Sequence, residues 1–475
     1  MNLRDLAGVD SDSAVTGFAL DHRQVARGSV FGAFRGAVVN GEDYIDQAVE
    51  RGAVAVVARP TARVVDVPHI ADVEPRARFA SIAAKFYAPY PATVVAVTGT
   101  NGKTSTVEMA RQIWRMSGHR SASIGTLGVT TSDDQVKTGL TTPDIVTFLH
   151  NMAGLRRMGI DHVAYEASSH GLDQHRCEGV PLVAAAFTNF SRDHLDYHGT
   201  MEAYFEAKMG LFERLLAPGT PVVIWTDDPK SDEVIARCSA ARLSLLTVGR
   251  EGDAIRLVEQ VPTPLGQTLL LERYGQTHRL ALPLIGAYQA ANVLTAAGLV
   301  LATGGAWETT FGAMQRVAPV RGRLERAVIS KAGAPVYVDY AHTADALEAA
   351  IAALRPHVAS DQGGRLITMF GAGGDRDSGK RPDMGAVAVR LSDAVIVTDD
   401  NPRGEDPAAI RAAILAAAPG AIEVGGRREA IAAAIAMAKA GDIVLLAGKG
   451  HETGQIVGDR VLPFDDALVA RECAA

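Results

Sequence analysis

The chain reads as an α/β protein of two or three domains, and three observations carry that reading. From about residue 89 onward, short runs of valine, isoleucine and alanine alternate with stretches of helical spacing, the pattern of mostly parallel sheets covered on both faces. One junction in that alternation, at 93–116, is bounded by glycines and carries a lysine. At 475 residues the chain is also too long for a single hydrophobic core.

The stretch TVVAVTGTNGKTSTVEMARQIWRM, 93–116, organises the rest. Its first residues form a short buried strand, and a helical run opens after Gly99, Thr100, Asn101, Gly102, Lys103 and Thr104. Glycines let backbone amides approach a polyphosphate, and the first helical turn presents free N–H groups to the same anion. Lys103 then reaches the β- and γ-phosphates, and the Thr104 hydroxyl binds Mg²⁺. The loop is two residues shorter than the common G-x-x-x-x-G-K-[ST] pattern, but a strand before and a helix after make a chance Gly-Lys-Thr a poor account.

Composition sets bounds. A hydrophobic share of 47% with 21% charged residues describes a soluble globular protein, and a net charge of −7 gives no reason to expect nucleic acid or an anionic membrane as partner. Cys177, Cys238 and Cys473 are far apart and not in metal spacing, which points to a reducing compartment without a disulfide framework. The N-terminus shows no apolar leader segment, and the longest apolar stretches are too short to span a bilayer, so a cytoplasmic protein is expected.

Taken in order, residues 1 to about 88 predict a small α/β segment with strands at 53–58 and 63–67 and an Asp21–Arg23 surface ion pair. Between 89 and 318, strands are expected at 121–124, 162–166, 184–188 and 222–225. Two of these end in polar clusters, Glu166 through His170 and Asn189 through Asp196, where ligands sit in such sheets. A carboxylate and an imidazole beside a phosphate loop suit a Mg²⁺–nucleotide site, Glu166 better than His194 because Mg²⁺ prefers oxygen. In the helix at 200–215, Tyr204, Lys208, Leu211 and Leu215 share one face, so Lys208 either extends to solvent along its methylenes or is buried and chemically altered. The stretch 319–323 has the composition of a linker. Beyond it, strands at 336–339, 366–370, 394–398 and 443–446 alternate with alanine-rich helices at 344–354, 407–418 and 428–440. Each of these strands is followed by a polar cluster, which gives this region a binding edge of its own.

Eight separated motifs carry a resemblance. They are TGTNGKT (98–104), TTPD (141–144), YEASSHGLDQHR (165–176), NFSRDHLDYHGTMEAYFEAK (189–208), DYAHTADAL (339–347), GAGGDRDSGKRP (371–382), DNPR (400–403) and GKGHE (448–452). On these residues the chain resembles the ATP-dependent Mur ligases of peptidoglycan synthesis over essentially its whole length. The resemblance implies three domains: a UDP-substrate domain at 1–88, a central P-loop ATPase-like domain at 89–318 and a Rossmann-like amino-acid domain at 319–475. It implies an ATP-dependent amide ligase that phosphorylates a D-glutamyl carboxylate and lets an amino-acid amine displace the phosphate. The substrates implied are ATP, UDP-N-acetylmuramoyl-L-alanyl-D-glutamate (the UDP-MurNAc-dipeptide) and meso-diaminopimelate, handled by a monomer.

Residue by residue, the resemblance assigns ATP to the loop 99–104 and to Asn292, Arg323, Asp339 and His342. It gives one Mg²⁺ to Thr104 and Glu166, and a second to His194 and a carbamylated Lys208 (N6-carboxylysine), with Lys103, Lys208 and His194 catalytic. Leu20, His22, Thr141, Thr142, Ser168, Gln174 and Arg176 match positions for the UDP-MurNAc-dipeptide. Arg381, Asp400, Asn401, Pro402, Arg403, Gly448 and Glu452 match the diaminopimelate site, where the Arg403 fork suits the far carboxylate and Glu452 the far ammonium. The chain departs from the family pattern at His22, where serine is usual, at Tyr288-Gln289 before Asn292, and at Ala37-Val38-Val39. Because the ATP positions fall on both sides of 319–323, a hinge closure there is expected. The competing expectations are a sister ligase adding L-lysine and a folylpolyglutamate synthetase, which shares the phosphate loop.

Overall fold

The computed structural model describes residues 1–36, 39–132, 134–136, 139–359, 363–375 and 377–475. Ala37 and Val38 of the apolar stretch noted above, and Arg376 of the 371–382 motif, lie outside the described residues. Two compact units emerge, one of residues 1–254 and 295–310, the other of 255–294 and 311–475.

The first unit holds two sheets. Gly17–Ala19, Ser29–Gly32, Ala53–Ala58 and His69–Ala71 pair in parallel in that order. The expected strand at 63–67 is absent. Asp66 takes a left-handed φ of 65°, Pro68 lacks an N–H, and Val64 and Val67 pack as loop residues on the cluster around Val56, so pairing begins only at His69. Asp21 and Arg23 do pair, at 2.7 Å.

In the larger sheet, Thr93–Thr98 lies between Ala184–Phe187 and His162–Glu166. Pro221–Trp225 and Ser244–Gly249 continue the parallel order on one side and Ser121–Gly125 on the other. Gly128–Thr130 and Gln135–Val136 add antiparallel strands at that edge. The inner strands are buried along nearly all their length, as parallel strands covered on both faces are. Parallel pairing brings their carboxyl ends together: Val97 is in register with Glu166, and Thr98 with Phe187. One apolar cluster joins both sheets of this unit, with Phe18 and Phe79 in the same core as Val94, Phe148 and Phe187.

The second unit opens with an antiparallel meander, Ile255–Thr263, Gly266–Arg273 and Gln276–Leu282, where parallel alternation was expected. Burial there has the period of two: Leu269, Leu271, Leu280 and Leu282 are buried while Leu270 is half-buried and Ala281 exposed, and Tyr274-Gly275 turns with two positive φ values. The six-stranded sheet runs Glu325–Ile329, Pro335–Asp339, Ile443–Ala447, Leu366–Phe370, Ala394–Val397 and Ile422–Glu423, antiparallel only at its first pair. All four expected strands are in it, within a residue at their ends; helix Ala344–Leu354 has the expected span, while Pro407–Leu415 and Arg427–Met437 each end three residues before the expected 418 and 440. The stretch 319–323 is packed within this unit: Val320 is buried, and Gly322 accepts from the Tyr340 N–H while donating to Glu325.

Candidate active site

The phosphate loop of the first unit is held from both sides. Gly99 and Gly102 have φ of 142° and 83°, conformations open to glycine alone at low cost. A Cβ on Gly99 would collide with the Thr188 hydroxyl. The neighbouring strand end fastens the turn: the Thr100 N–H donates to Asn189 O at 2.8 Å, the Asn101 N–H to Asn189 Oδ1 at 2.8 Å, and Thr188 Oγ1 to Asn101 O at 2.6 Å. Lys103 folds over the loop and donates to Gly99 O at 2.9 Å and Thr100 O at 2.7 Å.

Next to the loop, hydroxyls and one carboxylate converge. Glu166, buried at its strand end, accepts the Thr126 N–H at 2.7 Å and the Thr126 hydroxyl at 3.2 Å. The Thr126 hydroxyl also lies 3.5 Å from that of Thr104 and 3.1 Å from that of Thr141. Gly125 makes room for the carboxylate, since a Cβ there would overlap it. Thr126 was missed by sequence reasoning, because a threonine in a short turn carries no motif of its own. Among the described residues no cluster of three or more His, Cys, Asp or Glu side chains could hold a metal. The donors here are instead one carboxylate and neutral hydroxyls, a set that fits Mg²⁺, which keeps waters and substrate phosphates in its shell.

Lys208 is 1% exposed, so the alternative in which it extends to solvent does not hold. Thr200 caps its helix, Met201–Arg214, by accepting from the Ala203 N–H, and the face expected from the spacing is the buried one. The Lys208 amine donates to Gly99 O at 2.7 Å and lies 4.3 Å from the centre of the Tyr204 ring. Both lysines therefore converge on one carbonyl. Burial, and then the charge of Lys103, hold the Lys208 amine well below the usual lysine range. His194, at φ 50°, is half exposed, and its ring packs against Tyr204 at 6.0 Å and His170 at 4.9 Å. Lys208 and His194 thus flank the same tyrosine.

The dipeptide-site candidates form one network. The Thr142 hydroxyl donates to Glu166 O at 2.8 Å and lies 2.9 Å from Ser168 Oγ, which in turn accepts from the Gly171 N–H at a helix start. Arg176 donates to Thr142 O at 3.1 Å and to Gln174 Oε1 at 2.6 Å. Gln174 and Arg176 line a cavity of about 180 Å³ that also includes Leu20. His22 stands apart from that cavity, stacked on Tyr44 at 4.5 Å.

The remaining candidates lie in the second unit. Asn292 is buried and donates to Gln289 Oε1 at 2.9 Å. Both oxygens of Asp339 are engaged by backbone N–H groups, of Leu324 at 2.7 Å and Ala341 at 2.9 Å, while burial raises its pKa. Arg323 lies over the Tyr340 ring at 5.4 Å, and His342 Nδ1 is 2.8 Å from Tyr340 O.

At the carboxyl edge of the six-stranded sheet, Asn401 Nδ2 donates to Glu452 Oε2 at 3.0 Å, and the fully buried Lys449 amine reaches both Asn401 Oδ1 at 3.0 Å and Glu452 at 3.1 Å. Gly448 lies so close to Asp400 that a Cβ would come within 2.6 Å of its carboxylate. Arg403 takes a φ of 51°, with its N–H on Ile456 O and its guanidinium on Gly374 O at 2.8 Å, and Pro402 before it is buried. Glu405, two residues on from Arg403, pairs with the buried Arg381 at 2.9 Å.

Two family models match the chain: the Mur ligase middle domain over residues 97–300 and the Mur ligase glutamate ligase domain over 322–450. A UDP-N-acetylmuramoyl-L-alanyl-D-glutamate–2,6-diaminopimelate ligase of Zymomonas mobilis is 56% identical over 471 residues, 98% of this chain and 96% of that protein. One from Caulobacter vibrioides is 49% identical, over 96% and 94%. A solved structure of a ligase of the same description superposes with a TM-score of 0.75 at 31% identity, covering 100% of this chain and 98% of its own.

Proposed function

The chain belongs to the Mur ligases, and from that premise we infer that it joins meso-2,6-diaminopimelate to the D-glutamyl carboxylate of UDP-N-acetylmuramoyl-L-alanyl-D-glutamate, with conversion of ATP to ADP and phosphate. Similarity to diaminopimelate ligases over nearly the full chain is the observation that carries this choice. Those proteins also weigh against a folylpolyglutamate synthetase. No helix among the described residues is long and apolar enough to cross a membrane, and the reading places the reaction in the cytoplasm, where the nucleotide precursors are.

A carboxylate is a poor acyl donor until a good leaving group is attached. An oxygen of the glutamyl carboxylate attacks the γ-phosphorus, and the bond to the ADP oxygen breaks. The diaminopimelate amine then attacks the acyl carbon, phosphate departs, and the nitrogen loses a proton. Free N–H groups of the 99–104 turn and of the helix Lys103–Met116 receive the phosphates, and Lys103 exchanges its carbonyl partners for phosphoryl oxygens. Thr104 and Glu166 would hold Mg²⁺, with Thr126 fixing the Glu166 carboxylate. When bound, the cation offsets charge repulsion between carboxylate and triphosphate. Omitting any one of the three substrates should abolish steady ADP release. ADP release driven by folate and glutamate would contradict the reading.

The role of Thr126 has its own test. Thr126→Val removes one hydroxyl and keeps the backbone donor to Glu166. The Mg²⁺ concentration for half-maximal rate should rise about tenfold, with Thr126→Ser restoring it. An unchanged Mg²⁺ dependence would remove Thr126 from the site.

A further inference from the structure

The motif GKGHE, 448–452, contains a lysine to which the resemblance gave no role. Lys449 comes just after the strand Ile443–Ala447, and its side chain is 0% exposed. Its amine closes a triangle at the carboxyl edge of the six-stranded sheet. It donates to Asn401 Oδ1 at 3.0 Å and to Glu452 Oε2 at 3.1 Å, and the same Glu452 oxygen accepts from Asn401 Nδ2 at 3.0 Å. The Ile456 N–H also donates to Asn401 Oδ1, at 2.9 Å, which orients the amide for that bond. Both side-chain donors thus take Oε2, and Glu452 Oε1 accepts from no group among the described residues. The Asp400 carboxylate lies 3.9 Å from the same amine.

Two carboxylates gathered in a poorly solvated place repel, and without a cation between them one takes up a proton. Arg427, a second buried cation nearby, is committed to Asp466 through both carboxylate oxygens, at 2.8 and 2.6 Å. The charged or titratable groups facing Glu452 are Lys449, Asp400, Arg427, His451 and Tyr340, and Asp400 also faces Asp466 and Lys380. Burial works to raise the pKa of Glu452, but the Asn401 hydrogen bond and the Lys449 charge outweigh it and hold the carboxyl below its usual range. At Asp400 burial prevails and raises the pKa, against the pull of Arg427 and Lys449. We propose that Lys449 is a positioning residue of the amino-acid site, one buried ammonium that leaves Glu452 Oε1 to the incoming ammonium group and offsets the repulsion between Glu452 and Asp400. Fully buried, it acts through the side chains it holds. The proposal deepens the function inferred above and rests on it, the incoming group being the far ammonium of diaminopimelate.

Steady-state kinetics of wild type, Lys449→Met and Lys449→Gln over about pH 6 to 9 test this. A neutral replacement removes charge that keeps Glu452 ionised, so its pKa rises. The proton it then takes up as pH falls costs the substrate ammonium its partner. The KM for diaminopimelate, divided by the wild-type value at the same pH, should be about tenfold or more at neutral pH and should grow as pH falls. The KM values for ATP and the UDP-dipeptide should stay near wild type. A ratio that is raised but flat across the pH range would show support by shape alone and overturn the charge role. An unchanged KM for diaminopimelate would overturn the proposal outright. So would a lowered melting temperature with all three KM values raised alike in both variants, the mark of a residue that only holds the fold. Each of these results leaves the inferred reaction standing. Wild type without diaminopimelate-dependent ADP release would overturn reaction and proposal together.

Discussion

Replacing Lys208 by alanine should abolish turnover, and a small carboxylate added to the variant should restore part of it. The expectation follows from where the amine lies. It is buried on the apolar face of its helix, it donates to Gly99 O in the phosphate loop, and Lys103 donates to the same oxygen. Two ammonium groups at one buried carbonyl repel, and burial disfavours charge on Lys208 in particular. A neutral amine is the form that reacts with CO₂, giving a carbamate and releasing one proton. The carbamate puts an anion in place of the neutral amine beside Lys103, with oxygens able to bind Mg²⁺. Removing CO₂ by dialysis under acid conditions should lower activity, and bicarbonate should return it. Full activity in Lys208→Ala would end the idea. Stability separates the roles further. With its folded pKa lowered, the free amine of Lys208 binds fewer protons folded than unfolded, so it disfavours the fold near neutral pH, and this effect fades as pH rises into the ordinary lysine range. A Lys208→Met variant should therefore lose activity without losing stability at pH 7 relative to the uncarbamylated protein.

Arg403→Ala should raise the KM for diaminopimelate sharply and leave that for ATP nearly unchanged. Arg403 is pinned at both ends of its backbone, its N–H to Ile456 O and its carbonyl to the Gly458 N–H, and it holds a left-handed φ that only Gly, Asn or Asp adopt readily. Its guanidinium touches backbone carbonyls and, among the described residues, no carboxylate, because Glu405 is taken by Arg381. A fork so placed suits the carboxylate that distinguishes diaminopimelate from lysine. Glu452, held by Asn401 and Lys449, supplies the neighbouring negative charge. Lysine would leave Arg403 without that partner, a cost of about 2–5 kcal/mol. That suffices for strong selection without an editing step. Unchanged selectivity in Arg403→Ala would refute the assignment.

Much of this was legible in the sequence because it rests on local rules. Valine-rich runs gave the inner strands, glycines the phosphate loop, and i, i+4, i+7 spacing the buried face that carries Lys208. What escaped depends on tertiary placement. Thr126 lies in a turn between two strands. Its place in the site comes from a group far away in sequence, the Glu166 carboxylate that its N–H meets at 2.7 Å. The strand expected at 63–67 failed for a different reason, since a left-handed Asp66 and Pro68 overrode a favourable apolar pattern. The meander at 255–282 was missed because parallel alternation was carried across it, and the apolar Leu270 and Ala281 blur the period of two in its strands.

The central claim is the choice of amino acid, and one competition measures it. The purified chain, given ATP, Mg²⁺ and the UDP-dipeptide with equal meso-diaminopimelate and L-lysine, should yield products whose masses are read directly. The account predicts the diaminopimelate tripeptide with at most a trace of the lysine product. Lysine incorporated as readily as diaminopimelate would contradict it.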